Sequence, residues 1–163
     1  PRDAQVIGRW GDGTAAVTVR SLGKGRAYAV GTLPGASWMK TGLRAIPWAR
    51  GGRGTVYNPS GFHADAEKLV RLAVDSRKPE QAVTCSVPGL EAFAIDSPEG
   101  TLVTLVNWTN EPVKNAEVKV RLSAKPSAVR SVQRQAGLAS KWSDGQVTFA
   151  IDLDEADYVL IPR

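Results

Sequence analysis

A thiol and an imidazole are the pair that a covalent mechanism uses, and this chain holds one of each, Cys85 and His63. A cysteine nucleophile needs its base within hydrogen-bond reach and is commonly held on a sharp strand-to-helix turn. Cys85 stands instead in Ala82-Val83-Thr84-Cys85-Ser86-Val87, a plain strand pattern without flanking glycines. Free cysteine is among the most buried residue types, so a structural thiol is the expectation. One cysteine excludes an internal disulfide framework and a cysteine-rich zinc site. One histidine excludes chemistry that needs two imidazoles. His63 has Asp65 and Glu67 near it in sequence, too few donors for a closed metal site. Its place just before an apolar-periodic segment suits packing or capping. No metal and no cofactor are expected.

Three other groupings carry potential chemistry. Asp152, Asp154, Glu155 and Asp157 form an acidic cluster, DLDEAD. Oxygen-rich loops bind calcium, but this spacing lacks the glycine of a helix-loop-helix site, and a solvated turn before the last strand is expected. Paired carboxylates hydrolyse glycosides at defined separations, yet the spacing places no two of these on a shared cleft. Arg50-Gly51-Gly52-Arg53-Gly54 resembles a single arginine-glycine box. With Trp38, Trp48 and Tyr57 it offers positive charge and stacking surfaces. An anion site made by glycine amides and arginines is a further reading. Such boxes normally come repeated, so the favoured reading is a basic loop that touches other parts of a larger protein. Sugar faces stack on tryptophan. Trp142, after Ser140-Lys141 in a turn region, is expected to be exposed, and Trp108, at the end of an apolar run, is expected at a core edge. Asn107-Trp108-Thr109 matches a glycosylation sequon, which carries no weight in a bacterial-looking sequence.

Length and composition bound these readings. The 163 residues suffice for one domain or two small ones, with 42% apolar and 23% charged residues. No apolar run approaches the ~20 residues of a membrane span. The chain opens at Pro1-Arg2-Asp3 without an initiator Met, as a processed or excised piece would. The formal net charge is +5, and it is localised. Residues 13–64 contain no Asp or Glu against seven cations, Arg20, Lys24, Arg26, Lys40, Arg44, Arg50 and Arg53, whereas residues 65–163 sum to −2.

The elements that position these groups are mostly strands. Glu91 to Trp108 reads as a hairpin. Phe93 and Ile95 alternate with Ala92, Ala94 and Asp96, Ser97-Pro98-Glu99-Gly100 supplies the turn, and Leu102 to Val106 is an apolar run suited to a strand buried on both faces. Upstream, Gln5–Trp10, Ala15–Leu22 and Ala27–Leu33 form a three-stranded meander, with turns at Gly11-Asp12-Gly13 and Gly23-Lys24-Gly25. Residues 34–61 hold six glycines and three prolines without a period and read as a long irregular connection. Ala64 to Arg77 is the one predicted helix. Leu69, Val70, Leu72 and Ala73 make its apolar stripe, Asp65 and Glu67 lie in its first turn, and Pro79 stops it. After Pro79, seven short strands at roughly 8–12-residue spacing signal a β-sandwich.

Two stretches resemble a known family. Trp10-Gly11-Asp12-Gly13 followed by AAVTVRSLGKGRAYAVGTLPG resembles the closing strands of the glutamine-amidotransferase-like trimerisation domain of β-galactosidase-like glycoside hydrolases. TLVTLVNW (Thr101–Trp108) and VTFAIDLDEADYVLI (Val147–Ile161) resemble the small C-terminal β-sandwich of such enzymes. The resemblance skips residues 36–61 and rests on turns and core strands. It implies a C-terminal region lying after, and without, the catalytic barrel, and it transfers no catalytic residue.

The fold expected is mainly β: an antiparallel β-sandwich with an N-terminal β-meander, a long basic loop and one α-helix. Residues 1–79 hold the meander, loop and helix, the tail of an amidotransferase-like domain, and residues 80–163 the C-terminal sandwich. The function expected is that of a non-catalytic accessory region of a larger carbohydrate-active protein. The alternative is a carbohydrate- or polyanion-binding module using Trp142, Trp38, Trp48, Arg50 and Arg53. Expected partners are the rest of the parent polypeptide or further copies of the chain, with carbohydrate as a ligand and neither nucleic acid nor membrane. The compartment is open, and extracytoplasmic placement would follow from a secreted parent.

Overall fold

A computed structural model describes residues 3–39, 43–46, 56–59, 61–77, 79–109 and 111–163. The chain divides into two compact units, residues 1–41 with 62–79, and residues 42–61 with 80–163.

The first unit opens with an antiparallel meander of β1 (Gln5–Arg9), β2 (Ala15–Leu22) and β3 (Gly25–Val30) in the order β1-β2-β3. The β1–β2 turn is held by Asp12, whose Oδ1 accepts from the Thr14 backbone N–H at 2.9 Å and its hydroxyl at 2.7 Å. These bonds favour the charged carboxylate and hold Asp12 below its ordinary value. Pairing of Leu22 with Gly25 leaves Gly23-Lys24 as a two-residue loop. Of those two only Gly23 has positive φ, +57°, the pattern of a type II′ hairpin turn.

Residues 34–61 are not wholly irregular, as the sequence suggested. Helix α1 (Pro34–Met39) occupies their start, and β4 (Leu43–Ile46) pairs with β5 (Val56–Pro59). Proline at the first helical position needs no N–H partner, so it starts α1 well. Six residues are too few to show a period, which is why the helix left no signal.

Helix α2 (Ala64–Asp75) lies where its acidic first turn and apolar spacing place it, beside α1. Its stripe is shifted from the one expected. Ala66 is buried and Leu69 and Leu72 are half-buried, whereas Val70, Ala73 and Val74 face solvent.

The second unit is the sandwich. One sheet has the order β11-β10-β14-β8-β7, from β7 (Leu90–Ser97), β8 (Gly100–Asn107), β10 (Arg130–Ser131), β11 (Ala136–Gly137) and β14 (Ala156–Pro162). The other has the order β12-β13-β9-β6, from β6 (Val83–Cys85), β9 (Val113–Arg121), β12 (Ser140–Ser143) and β13 (Gln146–Leu153). All pairs are antiparallel. The core takes the inward positions of both: Val103, Leu105, Val159 and Ile161 from one sheet, and Val118, Val120, Val147, Phe149, Ile151 and Leu153 from the other. Period-2 alternation makes this possible, since successive side chains leave a strand on opposite faces.

Two loops depend on backbone that only certain residues supply. Gly100 sits at φ +154°, and a Cβ there would overlap the Ile161 carbonyl oxygen on the neighbouring strand. Asp144 and Gly145 join β12 to β13 with φ of +53° and +74°, the two positive values a type I′ turn requires.

Candidate functional site

The run Leu102–Val106 was expected to be buried on both faces, and it is buried on one. Val103 and Leu105 are fully buried, while Leu102, Thr104 and Val106 are half-buried on the outward side. Register places the neighbours. Phe93 lies opposite Thr104, which lies opposite Tyr158, and Ile95 lies opposite Leu102, which lies opposite Leu160. These two rows form a contiguous outward patch, with Ile95 58%, Phe93 54%, Tyr158 51% and Leu160 45% exposed. Single exposed apolar residues are ordinary, but five in register on one sheet face are not. Because β7 is the outermost strand on its side, the patch runs to an open sheet edge.

Trp108 continues the outward row of β8. It was expected at a core edge, yet it is 48% exposed and its indole N–H donates to Glu91 Oε2 at 2.8 Å. Trp142 departs from expectation in the opposite sense. It stands in β12 opposite Val147, half-buried against the core, not on an exposed turn. Four residues of β12, Ser-Lys-Trp-Ser, show little alternation, but Asp144-Gly145 after them is a strong hairpin signal that sequence reasoning passed over.

Of the aromatic and basic residues proposed from the 34–61 stretch, Trp38 is described. It lies on α1, tilted against Phe62 with ring centroids 4.7 Å apart, and its buried Nε1 has no partner among the described residues. Trp48, Arg50 and Arg53 lie outside the described residues. Tyr57 falls in β5.

The acidic cluster is more ordered than a solvated turn. Asp157 is 3% exposed, accepting from the Ser131 hydroxyl at 2.5 Å and from the Gln133 backbone N–H at 3.0 Å. Ser131 Oγ in turn accepts from Arg134 N at 3.0 Å, so the carboxylate staples a loop to β14. Asp152 Oδ1 accepts from Asn115 N at 2.8 Å, and this bond, with Lys114 and Arg134 nearby, holds its carboxyl below the ordinary value. Asn115 needs that support, since it sits at φ +51°. Only Asp154 and Glu155 form the exposed turn, and the Asn107 side chain donates to the Asp154 carbonyl at 2.8 Å. Among the described residues no group of three or more His, Cys, Asp or Glu is placed to hold a metal ion.

Cys85 ends β6 opposite Val118, and burial pushes its thiol up. His63 is the N-cap of α2, its Nδ1 accepting from Ala66 N at 3.4 Å, with Asp65 and Glu67 in the first turn. Each therefore has a structural occupation.

No family model matches the chain, and no curated protein matches it. Solved structures do. Alpha-L-fucosidase isoenzyme 2 from Paenibacillus thiaminolyticus matches with a TM-score of 0.59 at 12% identity, over 98% of this chain and 25% of that one. Gan42B, a GH42 β-galactosidase from G. stearothermophilus, matches in two structures with TM-scores of 0.52 and 0.51 at 17% identity, over 98% of this chain and 18% of that one. The chain spans a quarter or less of the length of these glycoside hydrolases, and what it shares with them at such identities is the fold.

Proposed function

We propose that this chain is a non-catalytic, structural region of a larger bacterial protein of glycoside-hydrolase type, and that it docks through the outward face of its five-stranded sheet. The single observation that carries the reading is that face. Phe93, Ile95, Leu102, Tyr158 and Leu160 stand in register in two exposed rows. Covering apolar area is worth roughly 25 cal/mol per Å², so a face of this composition is stabilised by a protein surface laid over it. The occupant we favour is another part of the same polypeptide. Fold likeness supports this, because the chain matches glycoside hydrolases over almost its whole length but spans only 18–25% of theirs. In this reading residues 80–163 are a small C-terminal sandwich and residues 1–79 the end of an amidotransferase-like domain, whose trimerisation role would add copies of the chain as partners.

The test has two readouts on the purified chain. A panel of aryl glycosides and esters is expected to show no turnover, and hydrolysis above blank would overturn the non-catalytic reading. The chain is expected to bind anilinonaphthalene sulfonate, and Phe93→Lys with Leu160→Lys is expected to abolish that signal while leaving the far-ultraviolet spectrum unchanged. Equal dye fluorescence in both proteins would remove the docking face.

A further inference from the structure

We infer that the β2–β3 turn and the C-terminal end of α2 together form a binding site for a doubly charged oxyanion, a phosphate or sulfate group. The first unit holds a cleft of about 300 Å³ there, lined by Ser21, Lys24, Arg26, Ser76, Arg77 and the turn glycines. Neither a carboxylate nor an apolar side chain contributes to this lining. Three cations facing one small cleft repel one another unless something balances them.

No carboxylate among the described residues of the unit is paired with them. Among the described residues, Lys24, Arg26 and Arg77 form no salt bridge, in contrast to Arg20, which pairs with Asp3 at 3.5 Å, and Arg71, which pairs with Asp75 at 3.2 Å. The negative end of the α2 dipole, about half an elementary charge, offsets only a fraction of three positive charges. A dianion with several acceptor oxygens supplies the remainder, and guanidinium groups match its geometry.

The site is partly preorganised. Arg77 Nη2 donates to the Lys24 carbonyl at 2.9 Å, which ties the end of α2 to the hairpin turn and aims a fixed guanidinium at the cleft. Gly23, at φ +57°, makes the two-residue turn that projects Lys24. The Tyr28 hydroxyl is held below its ordinary value by the neighbouring Ser76 and Arg26 side chains first and by the charges of Arg26 and Arg77 after them.

Arg26 also lines a second, larger cleft of about 660 Å³ that includes Tyr28, Val19, Ile7 and Leu72. Ser21 is shared as well. An ester has room to seat its charged group among the three cations and its organic part beside Tyr28. A free ion uses the smaller cleft alone.

Calorimetric titration of the full chain at constant ionic strength and pH 7.5 tests this, with inorganic phosphate, inorganic sulfate and glucose 6-phosphate as probes. Saturable binding with one site per chain is expected. Lys24→Gln with Arg26→Gln is expected to weaken it about tenfold, at somewhat less than fivefold per exposed cation removed. Lys141→Gln, on the second unit, is expected to change nothing. Tighter binding of the ester identifies an esterified ligand, and equal binding a free ion. Lys24→Gln alone serves if the double variant fails to fold, because the Lys24 side chain makes no hydrogen bond among the described residues. Non-saturable heats, or equal weakening by Lys141→Gln, would overturn the site.

Discussion

The Trp108 indole N–H donates to the Glu91 carboxylate at 2.8 Å, joining the end of β8 to the start of the edge strand β7. The two residues are 17 apart in sequence, and the hairpin register brings them together, with Glu91 opposite Val106 and the indole beyond it. The bond orients a half-exposed indole at one end of the outward patch. It also satisfies the only polar atom of that ring, so the indole adds flat apolar area to the face without an unpaired donor.

Removing either partner should therefore loosen the hairpin end modestly. A double-mutant cycle with Glu91→Ala and Trp108→Phe is expected to give a coupling of about 0.5–1 kcal/mol in urea unfolding. Glu91→Gln should keep most of it, because the amide oxygen still accepts. Additive single effects would mean that the bond does not form in solution.

Gly100→Ala should destabilise far more than an ordinary turn substitution. The residue sits at φ +154°, and an added Cβ meets the Ile161 carbonyl and Pro162 Cα on β14. Both obstacles are backbone, so neither can swing away. Strain of this kind costs about 1–3 kcal/mol. Thermal unfolding should show a clearly lowered midpoint, and a wild-type midpoint would show that β14 ends before Pro162.

The sheets were legible in the sequence wherever a strand alternated or ran apolar for at least six residues, as β2, β8, β9 and β13 do. Core positions such as Val118 and Val120 followed directly from that alternation. The elements missed are short. Helix α1 has under two turns, and β12 offers four residues of weak pattern, so both depend on partners that sequence does not display. Exposure was harder to read than structure. An apolar run suits burial on both faces, and only the exposure of Phe93, Ile95, Tyr158 and Leu160 in the folded chain shows that the outward face around β8 is left open among the described residues. The charge cluster at the end of α2 was hidden for a related reason. Lys24 and Arg77 are 53 positions apart, and the hairpin and the helix must both fold before they meet.

Asp157 should tolerate substitution poorly although it belongs to a run of surface-type residues. Asp157→Ala removes the acceptor for the Ser131 hydroxyl and the Gln133 N–H, and Ser131 is itself 2% exposed. An unsatisfied buried group costs about 1–3 kcal/mol. Chemical denaturation should reveal a loss in this range. A companion change, Glu155→Ala in the exposed turn, should be near neutral, and equal losses at the two positions would contradict the staple.

Asp152 predicts the acid side of the stability profile. Its carboxyl is held low chiefly by the Asn115 N–H, then by Lys114 and Arg134. A lowered folded value favours folding above the unfolded value, about 3.9, and that contribution disappears as pH falls through the folded value. Asp152→Asn should lower the melting temperature modestly at pH 7, with the gap to wild type closing as pH falls below about 4. A gap that stays constant with pH would assign the effect to packing instead of charge.

Cys85 tests the structural reading of the thiol against the catalytic one. Burial is the one cause acting on it, and it raises the thiol above its ordinary value. Only the thiolate attacks electrophiles, so a raised value slows alkylation. The neutral thiol favours folding below the unfolded value, about 8.5, and this is lost as pH rises through the folded value. Iodoacetamide at pH 7 should therefore label the native chain slowly and the guanidinium-unfolded chain promptly. His63, occupied as the α2 cap, should leave the native rate unchanged when replaced by Asn, which caps equally well. A fast native reaction that His63→Asn slows would instead identify an activated nucleophile, and with it a reaction that the fold of β6 gives no reason to expect.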